Sequence, residues 1–216
     1  HNFFFTRDAS SAIGNNVLIN KMASKVRERE SLIMEYIFEN HSQFSTGIIN
    51  PNRDSDIDSE INIEGGDILV AREDTLLLGT GARTSVQGVD YILESVKGSK
   101  KIKHIIVQEV PDAPESFIHL DMVFTFLDVD ACMVYEPVIV TPNHYRTVHI
   151  KIDNGKVNIC TEKDLLTVLK KLDFELKPII CGGQKDKWIQ EREQWHSGAN
   201  FFALAPGKII GYGRNV

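Results

Sequence analysis

Asp67-Ile68-Leu69-Val70-Ala71, a break at Arg72-Glu73-Asp74, and then Thr75-Leu76-Leu77-Leu78-Gly79 form the stretch on which the fold reading turns. Each apolar run is too short for an ordinary helix and is closed by charged or glycine-containing residues, so the two read as strands. Glu60 to Glu64 reads as a third short strand just upstream. Downstream the period changes, with Val86, Val89, Leu93 and Val96 on one helical stripe in a segment from Thr84 to Val96. Lys103 to Val110 then returns to an apolar run of strand length. Strand, strand, helix, strand is the signature of an α/β protein.

The same order extends to both sides. Val17 to Ile19 reads as a strand, followed by a helix from Ser24 to Asn40 with Val26, Ile33 and Ile37 at helical spacing and Ser24 as its N-cap. Met122 to Phe126 and Cys132 to Ile139 read as strands, as do Arg146 to Ile150 and Lys156 to Ile159. A helix from Glu162 to Leu172, opened by Thr161, and a strand from Leu176 to Cys181 follow. Pro206-Gly207 is the turn of a hairpin between Phe201 to Ala205 and Lys208 to Tyr212. Recurrence of this order without sequence identity suggests a structural repeat, and no Pro-, Gly- or Ser-rich linker divides it.

Composition narrows the function. A hydrophobic fraction of 42% and a charged fraction of 25% are ordinary for a globular protein. With 24 basic against 30 acidic residues the net charge is -6, which gives no global attraction to nucleic acid or to anionic lipid. No apolar stretch approaches the roughly 20 residues that span a bilayer, and the first residues lack the basic n-region and the h-region of a signal peptide. Cys132, Cys160 and Cys181 are odd in number and far apart, which suggests neither a disulfide framework nor a Cys-x-x-Cys metal site. They read as reduced, buried, small apolar residues in a cytoplasmic protein.

Four motifs carry chemistry: Phe5-Thr6-Arg7-Asp8, Ile63-Glu64-Gly65-Gly66-Asp67, His119-Leu120-Asp121, and Gln194-Trp195-His196-Ser197-Gly198-Ala199-Asn200. A planar guanidinium is best held by two carboxylates through charge-assisted, bidentate hydrogen bonds, and Asp8 and Asp121 are the candidates. His119 stands two residues before Asp121, so alternation along an extended segment would point both to one face. An imidazole has the pKa to protonate a leaving amine and later activate water. Taken singly, each has a bland alternative. Asp8 would be a turn residue, Asp121 a surface carboxylate, His-x-Asp a structural pair, Arg27 a solvated helix charge, and Gly65-Gly66 a hairpin turn. Asp67 ranks below Glu64 because it could simply stabilise that turn.

Together the motifs resemble those of arginine deiminase, of the guanidino-modifying (pentein) superfamily. The resemblance runs across the whole chain, residues 1–216, and covers the middle of the family's usual length. It implies a pentein-type α/β propeller, here partial, with about three ββαβ-like units of the family's five. Uncovered sheet edges and apolar faces would then leave self-association into a homo-oligomer open. The implied reaction is hydrolysis of L-arginine to citrulline and ammonia, with no metal or organic cofactor. By the resemblance, Asp8 and Asp121 bind the guanidinium and His119, oriented by Glu64, moves protons. Arg27 and Arg83 grip the α-carboxylate, with Asn2 and Phe5 near the α-amino end. The family's nucleophilic cysteine lies in a Gly- and Cys-containing segment near its C-terminus, which this chain does not contain. Cys181 before Gly182-Gly183 does not match that segment, so no cysteine here is assigned as nucleophile, and the chain alone is expected to be inactive. Ala9 and His1 stand where the family commonly has proline. Two other readings stay open: amidinotransfer or methylarginine hydrolysis, and a non-catalytic guanidino-ligand-binding protein.

Overall fold

The computed structural model describes residues 3–54 and 56–213. It builds one motif three times. β1 (Ser10–Ile13) and β2 (Asn16–Ile19) form an antiparallel hairpin, α1 (Glu28–Asn40) follows, and β3 (Gly47–Ile49) returns parallel to β2. β4 (Ile68–Arg72) and β5 (Thr75–Thr80) are antiparallel, α2 (Val86–Val96) follows, and β6 (His104–Glu109) lies parallel to β5. A single helical turn, α3 (Leu120–Val123), leads into the antiparallel pair β7 (Phe124–Asp128) and β8 (Ala131–Val134).

After the short α4 (Glu136–Ile139), a hairpin of β9 (Thr147–Asp153) and β10 (Lys156–Glu162) leaves the third unit and extends the middle sheet alongside β6. The middle sheet therefore runs β10-β9-β6-β5-β4. Asn154 and Gly155 turn this hairpin with φ of 50° and 77°, as a two-residue Asn-Gly turn demands. The third unit closes with α5 (Leu165–Lys171) and β11 (Lys177–Ile180), parallel to β8. α6 (Lys187–Trp195) and the hairpin β12 (Phe202–Ala205) and β13 (Lys208–Ile210) complete the described chain.

The apolar run Leu76-Leu77-Leu78 is continuous because β5 is buried on both faces. Leu76 and Leu78 pack with Ile105 and Val107 of β6 against Val89, Ile92, Leu93 and Val96 of α2. Leu77 and Ile106 point the other way, into a core with Leu120, Phe124, Cys132 and the α5 residues Leu165, Val168 and Leu169. Two cores thus share one sheet. The loops at the ends of β4, β5 and β6 are held from both sides, and the site residues stand on these loops and their neighbours.

Several sequence expectations need correction. Glu60 to Glu64 is not a strand. Its polar backbone is met by loops, with Ile63 N donating to Lys21 O, Ser85 N to Asn62 O and Glu64 N to the Thr84 hydroxyl, which leaves no ladder to form. α2 begins at Val86, capped by the Ser85 hydroxyl, which accepts from Gly88 N, and Val86 itself points to solvent. Met122 to Phe126 and Cys132 to Ile139 each divide into a strand and a helical turn. α5 is capped by Asp164, which accepts from Thr167 N, rather than by Thr161, which lies in β10. Cys160, read as buried, is exposed on the edge strand β10, whereas Cys132 and Cys181 are buried.

Apolar surface does stand uncovered, as the sequence suggested. Val70, Phe202 and Leu204 are exposed beside a cavity of about 1100 Å³ bounded by β4, β7 and β12. No helix among the described residues is long and apolar enough to cross a membrane.

Truncation of Leu77 to alanine should cost about 2–5 kcal/mol, since the side chain is wholly buried between layers that cannot easily collapse. Val70→Ala, on an exposed position of β4, should cost about 1 kcal/mol or less. Urea denaturation of the two variants checks the contrast, and equal losses would refute the two-faced burial of β5.

Candidate active site

The site grows from two short turns that face each other. Glu64 immediately precedes a 3-10 turn, Gly65–Asp67, that feeds β4, and His119 immediately precedes α3, which feeds β7. Gly66 is a glycine for reasons of space, since a Cβ there would lie 2.7 Å from His119 Nδ1 and 3.2 Å from Asp121 Oδ1. Across this close approach, Glu64 Oε2 meets His119 Nε2 at 3.1 Å. Glu64 is fully buried and also accepts from Ala23 N at 3.2 Å.

Asp8 enters from the loop before β1. Its Oδ1 accepts from Gly66 N at 3.1 Å, and its backbone carbonyl accepts from Gly65 N at 3.0 Å and from Asn20 Nδ2 at 2.7 Å. The two aspartates expected to receive a guanidinium both hold one already. Asp8 Oδ2 is 2.9 Å from Arg27 Nη1, and Asp121 Oδ2 is 3.2 Å from Arg7 Nη1. Arg27 also pairs with Glu30 at 2.8 Å and lies 3.6 Å from Glu64, while Arg83 Nη1 lies 3.7 Å from Glu64.

The structure therefore brings together Asp8, Glu64, His119, Asp121, Arg27 and Arg83, with Phe5 stacked 5.9 Å from the Arg27 guanidinium. Asn2 lies outside the described residues. Phe5, Arg7, Asp8, Arg27, Arg83, His119 and Asp121 line a cavity of about 630 Å³, together with Trp195, Asn200 and Phe202. Glu64 sits beneath its wall.

His119 and Asp121 do line one cavity wall, but at the junction of an extended residue, His119, with the helical turn that holds Asp121, rather than by alternation along a strand. Arg27 is not a solvated helix charge, because it precedes α1 in a 3-10 turn and is drawn inward by Asp8 and Glu30. Sequence reasoning assigned no role to Arg7 or Glu30. The i,i+3 spacing of Arg27 and Glu30 was the available signal for the second. The Gln194 to Asn200 segment supports the site from behind: Gln194 donates to Ser116 O and Met122 O, and Asn200 donates to Asp121 O. Trp195 is exposed at the cavity rim.

Electrostatics sets the protonation states. Burial disfavours a charged His119, but its hydrogen bond to Glu64 and the charges of Asp67, Asp8 and Asp121 outweigh this and raise its pKa to about 9. Burial alone would raise Glu64, yet His119, Arg83 and Arg27 hold it below its ordinary value. Asp67 is pushed up to about 6 by burial, and Asp121 is raised by the same cause against the pull of Arg7. Imidazolium and carboxylate therefore coexist at neutral pH. Donor atoms of Asp8, Glu64 and His119 lie within 4.8 Å of one another, a spacing that a metal ion could use. The Arg27 guanidinium already stands beside two of the three, so the trio is answered by an organic cation.

None of the cysteines lines this cavity. Burial pushes the Cys132 thiol up to about 12 and the Cys181 thiol up to about 11, which keeps both protonated and inert.

The backbone arrangement resembles solved pentein-fold hydrolases. A dimethylarginine dimethylaminohydrolase, solved as an adduct with S-methyl-L-thiocitrulline, aligns with 99% of this chain and 64% of its own at a TM-score of 0.62 and 15% identity. The N-terminal domain of ArgZ, a cyanobacterial arginine dihydrolase solved with substrate, aligns with 92% of this chain and 57% of its own at a TM-score of 0.59 and 20% identity. At these identities the likeness establishes the fold, a pentein-type α/β arrangement of mixed sheets.

The sequence model of the arginine deiminase family matches residues 1–216, and the chain belongs to that family. Arginine deiminase of Listeria monocytogenes serotype 4a (strain HCC23) is 38% identical over 219 residues, and that of Bacillus thuringiensis subsp. konkukian (strain 97-27) is 37% identical over 220. Each alignment covers 99% of this chain and 52% of the relative, so the chain spans about half the length of the curated relatives it matches.

A pKa raised from 6.5 to about 9 means that folded protein binds an additional proton at His119 between those values. Its stabilising contribution is complete below pH 6.5 and is lost as the pH rises through 9. His119→Gln should flatten the decline of unfolding free energy across this window, measured by urea denaturation at successive pH values. An unchanged slope would show that another group carries it.

Proposed function

We propose that this chain is part of an arginine deiminase that hydrolyses the guanidinium of L-arginine to citrulline and ammonia. The observation that carries the reading is that two buried aspartates, Asp8 and Asp121, each hold a guanidinium close to the Glu64–His119 pair. Five carboxylates, of Asp8, Glu30, Glu64, Asp67 and Asp121, surround three guanidiniums and one imidazolium. That arrangement leaves an excess of negative charge for a cationic guest. Arg27, Arg83 and Phe5 at the cavity wall are suited to the α-carboxylate and aliphatic end of the substrate. Asn2 would complete the α-amino end.

In this reading a cysteine thiolate supplied from outside residues 1–216 attacks the guanidinium carbon. Asp8 and Asp121 hold the cation while the charge redistributes. Protonated His119 then gives its proton to the departing nitrogen, which leaves as ammonia as the amidino–sulfur adduct forms. Neutral His119, held by Glu64, next takes a proton from water, whose oxygen adds to the same carbon. The C–S bond then breaks, the thiolate is regenerated, the added hydroxyl loses its remaining proton to the released ammonia or to solvent as it becomes the ureido carbonyl, and citrulline leaves. The three ββαβ units and the β12–β13 hairpin would belong to a five-unit pentein propeller with this site at its centre, residues 1–216 forming an incomplete domain.

The test is citrulline release from L-arginine by the intact protein that carries this sequence. Release is expected, with Asp8→Asn and Asp121→Asn each lowering kcat/KM on the order of a hundredfold or more, because each removes a charge-assisted contact to the reacting cation. Loss of activity above a pH near 9 should follow deprotonation of His119. Binding of arginine without turnover would favour a non-catalytic guanidino-ligand-binding protein. Turnover of methylated arginine or amidine transfer instead would favour another pentein reaction.

A further inference from the structure

We infer that Asp67 is a positioning residue for the reacting groups, acting on them through the backbone of the His119–Asp121 turn. The inference rests on the functional reading above and adds a residue to it. Asp67 is completely buried and lies outside the cavity lining, so it touches no guest. Its Oδ1 accepts from Leu120 N at 2.8 Å.

That nitrogen is the first of the helical turn carrying Asp121, and His119 as N-cap offers it no side-chain acceptor. Asp67 therefore caps α3 from a distance of 53 residues along the chain. Glu64 grips the same turn at the His119 ring, so the segment Glu64-Gly65-Gly66-Asp67 holds it at two points, one on a side chain and one on the backbone. One grip would leave the turn free to pivot about it, whereas two set the imidazole and the Asp121 carboxylate together.

Two observations set Asp67 apart from an ordinary cap. First, space is cleared for it. A Cβ on Gly79 of β5 would lie 2.2 Å from Asp67 Oδ1 and 2.9 Å from Leu120 Cβ, so the neighbouring strand must present glycine where carboxylate and turn meet. Second, Oδ2 is buried and no donor meets it at full hydrogen-bond geometry among the described residues, the Thr84 hydroxyl being the side chain that acts on this carboxylate most directly. A buried carboxylate oxygen met so incompletely weakens the fold, and a neutral acceptor could have capped Leu120 N at less cost. What the charge adds is a field. Asp67 acts on His119 together with Glu64 on the same turn, Asp8 before β1 and Asp121 in α3, while Arg7, Arg27 and Arg83 stand behind those carboxylates.

Asp67→Asn keeps an acceptor of the same shape and removes the charge, while Asp67→Ala removes both. In the intact protein, the NMR titration of His119, assigned by its loss in His119→Gln, should move to lower pH by on the order of one unit in Asp67→Asn. With L-arginine, kcat should fall about tenfold in Asp67→Asn and about a hundredfold in Asp67→Ala, with KM changed less than about threefold in both. An unmoved His119 midpoint together with wild-type kcat would overturn the proposal. So would a fall in thermal stability in both variants with unchanged turnover per folded molecule, which marks a merely structural carboxylate. If the wild-type protein makes no citrulline, the functional reading fails on its own, and the His119 titration still decides whether Asp67 acts on the imidazole. Should Asp67→Ala not fold, the near-isosteric Asp67→Asn carries the decision by the same two readouts.

Discussion

A carboxylate removed from water must be answered by positive charge, and the buried Glu64 is the point from which the rest of this site follows. Its neighbours are His119 at 3.1 Å and the guanidiniums of Arg27 and Arg83 at 3.6 and 3.7 Å. These cations come from three distant parts of the chain: the turn before α1, the loop after β5 and the turn before β7. Satisfying one buried charge thus draws three units of the fold onto a common centre. The imidazolium is in turn sustained by that carboxylate, so each member of the pair favours the charged form of the other, with Arg27 and Arg83 assisting Glu64 and Asp8, Asp67 and Asp121 assisting His119.

Such a centre needs a rigid frame, and the middle sheet supplies it. β5 and β6 are packed on both faces, by α2 on one side and by α3, β7 and α5 on the other. The loops that leave these strands inherit that rigidity over their first residues. Glycine at 66 and 79 lets the two facing turns approach to hydrogen-bond distance, which any side chain there would prevent.

Much of this was legible in the residues. The strand–strand–helix–strand order, the apolar runs at β4, β5 and β6, and the hairpin at Pro206-Gly207 all follow from local period and turn chemistry. Glu60 to Glu64 misled because Ile61 and Ile63 alternate as a strand would, yet both are buried by α2 and the loop at Lys21 without ladder partners. His119 and Asp121 were paired rightly for the wrong local reason, since His119 is the extended residue before α3 and Asp121 lies within its turn, and it is this bend of the chain that sets both on one cavity wall. Arg7 stood in a quoted motif without a role, because its partner Asp121 is 114 residues away and only the tertiary fold joins them. Cys160 was misjudged because residue type says nothing of an edge strand turned to solvent.

The pairing of Asp8 with Arg27 and of Asp121 with Arg7 changes what occupancy of this cavity means. If the cavity takes a guanidinium as proposed, that guest does not fill an empty socket. It competes with two tethered ions of its own kind for the same oxygens, so entry is an exchange of partners in which hydrogen bonds are traded rather than created. The affinity is then a small difference between two similar attachments. What tips it lies elsewhere in the guest, in the groups that the displaced arginines are left free to grasp.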